Sequence, residues 1–178
     1  MKVNPHMTKK RGVNNRSDMS HEVYVVGVIS DTHGLLRPAV AAVFAGVDRI
    51  LHAGDVGGQS VLDALSAIAR VDAVYGNVDD SHDPALARER VVTIGGVTIH
   101  VSHGHELGRP TAALALAKYR GDIVVFGHTH QALLEPDGNG RVALNPGAAG
   151  PRRFDVRPSV ARITIRDGVA ETEIISLA

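Results

Sequence analysis

In the first 80 residues, apolar runs alternate with short polar loops and helix-like segments. Val23 to Ser30 is apolar almost throughout, as a strand covered on both faces reads. It leads into Asp31-Thr32-His33-Gly34, and Arg37 to Ala45 then suits a short helix with Pro38 in its first turn. Asp48 to Ala53 is a second strand, ending at Gly54-Asp55. Ser60 to Arg70 is an amphipathic helix with Val61, Leu62, Leu65 and Ile68 on one face. Val71 to Tyr75 is a third strand, ending at Gly76-Asn77. Repetition of this kind dictates parallel strands joined by right-handed crossovers, an α/β arrangement.

Beyond residue 90 the pattern changes. Val91 to Ile94 and Val97 to Ser102 flank Gly95-Gly96, a hairpin signal, and the second arm ends at His103-Gly104-His105. Pro110 to Arg120 is an Ala- and Leu-rich helix. Asp122 to Phe126 is a short buried strand, ended by Gly127-His128-Thr129-His130. Gln131 to Glu135 and Arg141 to Leu144 flank a Pro-Asp-Gly-Asn-Gly turn. Asn145-Pro146-Gly147 is another tight turn. Ser159 to Arg166 and Val169 to Ser176 alternate around Asp167-Gly168, a second hairpin signal. The expectation is two sheets packed face to face with helices outside. Residues 1 to 22 are expected to form a flexible basic tail and residues 23 to 178 one folded domain.

Composition narrows the chemistry. The 178 residues carry no net charge and contain neither Cys nor Trp. Thiolate metal sites and disulfides are therefore impossible, and base-stacking platforms are poorly supplied. The first 22 residues hold five Lys or Arg against Asp18 and Glu22, but no basic surface for nucleic acid is indicated elsewhere. No apolar run approaches the roughly 20 residues of a membrane span, and the start lacks the apolar core of a secretory signal. A cytoplasmic protein is the default expectation, and a homodimer the commonest oligomer.

His128 and His130 stand one residue apart just past a strand end, so their imidazoles can share a side. Open α/β sheets place ligands at that end of their strands. Asp31, His33, Asp55, Asn77 and His103 also follow likely strand ends, and all seven are expected along one edge of one sheet. Singly, each is an ordinary turn or cap residue. Together they are a set of nitrogen and oxygen donors suited to Mn, Fe, Zn or Ni rather than the all-oxygen sites of Ca or Mg. Two such ions about 3.5–4 Å apart need a bridging anion, which a carboxylate supplies. No Gly-x-Ser-x-Gly elbow, phosphate-binding Walker loop or Cys nucleophile competes with this reading.

Asp31-x-His33, Gly54-Asp55, Gly76-Asn77, His103-Gly104-His105 and Gly127-His128-x-His130 resemble the ordered motifs of the calcineurin-like metallophosphoesterases. Gly-Asn-Val-Asp and the Asn145-Pro146-Gly147 turn are most similar to their small bacterial and archaeal phosphodiesterase branch. The resemblance implies a four-layer αββα sandwich of two mixed sheets flanked by helices. It also implies that Asp31, His33 and His130 bind one metal, that Asn77, His103 and His128 bind a second, and that Asp55 bridges them. Manganese is the favoured ion, and a hydroxide held between the two ions would attack a small phosphodiester. Many relatives carry a His after the Gly-Asn pair to assist the leaving group, where this chain has Val78. General acid assistance is worth about 10²–10⁴-fold. His105 is a candidate substitute or phosphate contact, with a structural role as the alternative. Competing functions are a phosphomonoesterase, or a protein-binding scaffold like the retromer-type relatives.

The remaining polar residues have quieter readings. His52 and His100 are expected to be structural, His82 a solvated loop residue, and His6 and His21 part of the tail. Asp79, Asp80 and Asp83 read as solvated loop acids, and Arg109 as a weak phosphate candidate. Arg152 and Arg153 read as surface charge.

Overall fold

The computed structural model describes residues 22–152 and 155–177. The expected tail, apart from Glu22, lies outside the described residues, with His6 and His21, and so does Arg153. In chain order the elements are β1 (Val23–Ile29), α1 (Pro38–Val43), β2 (Arg49–His52), α2 (Gln59–Ser66), β3 (Arg70–Val74), β4 (Leu86–Ala87), β5 (Glu89–Ile94) and β6 (Val97–Ser102). A 3-10 turn (His105–Leu107), α3 (Ala112–Lys118), β7 (Ile123–Val125), β8 (Leu133–Pro136), β9 (Val142–Asn145), β10 (Ser159–Arg166) and β11 (Val169–Ser176) complete the order.

The strands form two mixed sheets. One runs β11-β10-β1-β2-β3-β4 and the other β5-β6-β7-β9-β8. The first three strands are parallel to one another, as the crossover pattern requires, and β10 closes antiparallel on β1. In the second sheet β6, β7 and β9 are parallel and the edges antiparallel. Both hairpin signals hold: Ile94 faces Val97 across Gly95-Gly96, and Arg166 faces Val169 across Asp167-Gly168.

The apolar side chains divide into three clusters, and these define the layers. Val26, Val28 and Leu51 of the first sheet meet Ile99, Val101 and Val125 of the second in the central core. Ile29, Ile50 and Val160, on the first sheet's outer face, pack under Phe44, Leu62 and Leu65 of the α1 and α2 segments. Val124 and Ala143, on the second sheet's outer face, pack under Ala115 and Leu116 of α3. The order is therefore helix, sheet, sheet, helix. A strand such as β1 buries both of its faces, which is why it lacks polar alternation. Burying a Val, Leu or Ile is worth about 1.5–3 kcal/mol, so three such interfaces make the strand ends rigid supports.

Several boundaries differ from expectation. Leu86–Ala87 forms a short edge strand, too brief to carry a period. The α3 helix starts at Ala112 because the Thr111 side chain accepts from the Leu114 N–H and caps it. Helix α2 stops at Ser66, and Arg70 already belongs to β3. No helix among the described residues is long and apolar enough to cross a membrane.

Candidate metal centre

The seven donors meet, but not on one sheet. Asp31, Asp55 and Asn77 follow β1, β2 and β3 of the first sheet, whereas His103 and His128 follow β6 and β7 of the second. The expected single edge is thus a seam between two sheets. Packing the sheets face to face aligns their parallel strands' carboxyl ends, so each sheet contributes one wall.

Two donor groups share one residue. Donor atoms of Asp31, His33, Asp55 and His130 all lie within 4.8 Å of one another, close enough to hold a metal ion. Within this group His33 Nε2 is 3.2 Å from His130 Nε2, and His130 Nε2 is 3.2 Å from Asp31 Oδ1. In the second group the Asn77 Oδ1 sits 3.2 Å from His103 Nε2 and 2.9 Å from His128 Nδ1. Asp55 reaches both, with Oδ2 3.8 Å from His33 Nε2 and Oδ1 3.5 Å from His103 Nε2.

The surrounding bonds orient these donors. Asp31 is fully buried, and its Oδ2 accepts from the Ser30 hydroxyl and the His128 N–H. Its Oδ1 is buried with no hydrogen-bond partner, a cost a cation would remove. His103 is fully buried, and its Nδ1 lies 2.7 Å from the Ala53 carbonyl. A carbonyl only accepts, so Nδ1 carries the proton and Nε2 keeps its lone pair toward Asn77. The donor set and this orphaned oxygen fit a divalent cation.

Backbone strain is concentrated here. Among the described residues, six besides glycine have positive φ, and Asp31, His33, Asp55, His128 and His130 are five of them. Such conformations cost roughly 1–3 kcal/mol apiece and persist only when the surroundings impose them. Two glycines make the crowding possible. A Cβ on Gly76 would lie 2.0 Å from Asp55 Oδ1, and one on Gly127 would lie 2.1 Å from Ser30 Oγ and 2.8 Å from Asp31 Oδ2.

Charge follows from the same contacts. Burial would raise the Asp55 carboxyl, but His103, the Val78 N–H and His33 outweigh it and bring it down to about 2. Burial would lower His103, but its bond to Asp55 and the charge of Asp31 leave it raised above the ordinary value. Burial and the neighbouring His103 lower His128, which favours the neutral imidazole that a cation needs.

Three supporting residues escaped the sequence reading. Asp79 accepts from the N–H groups of Val56, Gly57 and Gly76 at 2.8–3.0 Å, tying the loop after β2 to the loop after β3. Its setting in an acidic loop hid this. Buried Asn145 donates to the Gly127 carbonyl and the Thr129 hydroxyl, and accepts from the Gly147 N–H. It pins the loop that carries both histidines. Arg152, read as surface charge, lines a cavity of about 310 Å³ beside His128 and His130. Only the extra signal of a neighbouring apolar and Pro-rich stretch could have hinted at it.

The other residues fall as follows. His52 is buried and neutral, lowered to about 4 by burial. It accepts the Gly54 N–H at Nδ1 and meets the Thr32 hydroxyl at 2.8 Å, and so buttresses both first-sheet loops. His100 lies between the Arg120 carbonyl and Glu89, away from the centre. His82 and Arg109 are exposed, and His82 lies against Asp80. The His105 ring centroid stands 5.4 Å from His103 and 6.4 Å from His128. It flanks the second donor group without a hydrogen bond to it, and its Nδ1 is buried without a hydrogen-bond partner.

Known proteins resemble this chain in sequence and fold. A probable metallophosphoesterase of Methanocaldococcus jannaschii is 34% identical over 152 residues, covering 80% of this chain and 77% of its own. A phosphodiesterase of the same organism is 26% identical over 139 residues, covering 68% and 82%. Vacuolar protein sorting 29 from Cryptosporidium parvum has the same fold, with a TM-score of 0.73 at 23% identity over 88% of this chain and 98% of its own. The sequence pattern of the calcineurin-like phosphoesterase superfamily domain matches residues 25–168, which hold all seven converging donors. Motifs, fold and sequence similarity agree, and the chain belongs to that superfamily.

Proposed function

We propose that this chain is a phosphodiesterase dependent on two divalent ions, with manganese the favoured metal and a small phosphodiester as substrate. Asp31, His33 and His130 would hold one ion, Asn77, His103 and His128 the other, and Asp55 would bridge them. One observation supports this above the rest: the Asp55 carboxylate presents one oxygen to each donor group. When bound, the ions supply Lewis acidity toward phosphate oxygens and lower the pKa of water.

The chain's own residues set the stage for that chemistry. Burial of Asp31, Asp55 and His103 lowers the local dielectric and strengthens every charge interaction at the centre. Asn77 is exposed and His33, His128 and His130 are partly exposed, so substrate approaches from their side. In the reaction a water oxygen forms a bond to phosphorus as the bond to the departing alkoxide breaks. Val78 is 57% exposed beside Asn77 and has no proton to give, so diesters with good leaving groups should turn over fastest. His105 is the titratable side chain best placed to assist.

The test is hydrolysis of bis(4-nitrophenyl) phosphate against 4-nitrophenyl phosphate, with and without added Mn²⁺. Faster metal-dependent diester cleavage is expected. A preference for the monoester would move the reading to a phosphomonoesterase. No turnover of either, with metal bound, would favour a binding role.

A further inference from the structure

The metal centre has two differently charged flanks. On one, the cavity of about 310 Å³ starts at His128 and His130 and is lined further out by Pro151, Arg152, Val156 and Pro158. No acidic side chain lines it among the described residues. On the other, a cavity of about 290 Å³ adjoins Val78 and is lined by Asp79, Asp80 and Asp83. Different loops wall them: the first is bounded by the loop after β7 and the segment leading into β10, the second by the loops after β2 and β3.

A phosphodiester has two arms, and a phosphate at the centre must direct them apart. We infer that the flank beside Arg152 is a specificity pocket for one arm, a compact group with an apolar body and a negatively charged or strongly accepting end. Pro151, Val156 and Pro158 supply apolar walls, and Arg152 supplies the cation. The volume lies at the bottom of the range of about 300–1,000 Å³ for small-molecule sites, so the arm it takes is compact. The acids across the centre repel the same arm, which fixes the orientation of the diester. This assignment rests on the phosphodiesterase reading, because a monoester has only one arm to place.

Four diesters sharing a 4-nitrophenyl leaving group test it: bis(4-nitrophenyl) phosphate, 4-carboxyphenyl 4-nitrophenyl phosphate, 4-nitrophenyl phosphocholine and methyl 4-nitrophenyl phosphate. The manganese-loaded enzyme should prefer the carboxyphenyl over the choline diester by about fivefold or more in kcat/KM, as a single charge pair allows, mainly through KM. Arg152→Glu should reverse that order. Val156→Trp should lower the ratio of bis(4-nitrophenyl) to methyl 4-nitrophenyl phosphate hydrolysis. Turnover that ignores the arm's charge, or an order unchanged in Arg152→Glu, would overturn the pocket while leaving the phosphodiesterase intact. If no diester is hydrolysed, the activity reading fails, and calorimetry decides the pocket. Tighter binding of 4-carboxyphenyl phosphate than of phenyl phosphate, lost in Arg152→Glu, upholds it, and equal binding overturns it.

Discussion

The molecule bends its backbone the unfavourable way in two places, for different reasons. At the seam between the sheets, Asp31, His33, Asp55, His128 and His130 hold positive φ. At the far end only Asp167 does so among the described non-glycine residues, in the turn between β10 and β11. That turn follows from local chemistry, since Asp-Gly is built for a two-residue hairpin. It is also roomy: a Cβ on Gly168 would meet nothing closer than 3.9 Å. At the seam no turn type demands the strain, and the same test finds Gly76 and Gly127 pressed against carboxylates or their partners. Strain at the hairpin serves the chain's path. Strain at the seam serves the convergence of donor atoms.

Breaking the shared carboxylate is the strongest test of that contrast. Asp55→Asn should cost more than the roughly 10–100-fold that loss of a mere supporting partner costs, both in turnover and in metal retained after dialysis. Activity within tenfold of the parent would remove Asp55 from the bridging role.

Asp79→Asn should lower metal affinity by about 10–100-fold. The amide cannot replace the charge that three backbone N–H groups now share. Titration with Mn²⁺, followed by calorimetry, reads this directly. An unchanged affinity would mean that the two loops hold their positions without the clamp.

Acid sharpens the comparison in another way. The His103 pKa is raised chiefly against its own burial by Asp55, so His103 is the donor most ready to take a proton as pH falls. Metal affinity should be full above that raised value and fall by about tenfold per pH unit below it, one proton displacing the ion. In Asp55→Asn the bond and charge of Asp55 that raise His103 are gone, while burial, Asp31 and the Ala53 carbonyl remain, so the fall should move to lower pH. A fall that stays put in the variant would mean that another group titrates.

The smallest effect belongs at the far end. Gly96 has φ +85°, and a Cβ there would meet only the Gly168 backbone at an ordinary 3.8 Å. Gly96→Ala should cost only about 1–2 kcal/mol for the left-handed conformation, seen as a lower Tm. Its kcat/KM should equal the parent's. A loss of activity would show that strain is transmitted between the two ends.

How much was legible in the sequence varied with the range of the interactions. Both hairpins were readable because Gly-Gly and Asp-Gly turns between apolar runs are local. The layered α/β arrangement followed from runs apolar on both faces. The donors were readable as types, because each follows a strand end with a small residue nearby. Their placement on one sheet was misread, since nothing in a strand's own residues says which sheet it joins. The clamp by Asp79 was invisible because its partners, Val56 and Gly57, lie more than twenty residues upstream. Arg152 looked like any surface cation because the cavity that gives it meaning is walled by the loop after β7.

What the amino-acid order settled by itself was a set of buried strands and a stock of oxygen and nitrogen donors with no competing nucleophile. Periodicity and composition are properties of the chain alone, so they survive without coordinates. What only the folded molecule decided was that two sheets share the donors and that one carboxylate spans both groups. The unequal charge of the two flanks was decided there too. Those facts depend on distances between segments far apart in the chain, and packing sets such distances.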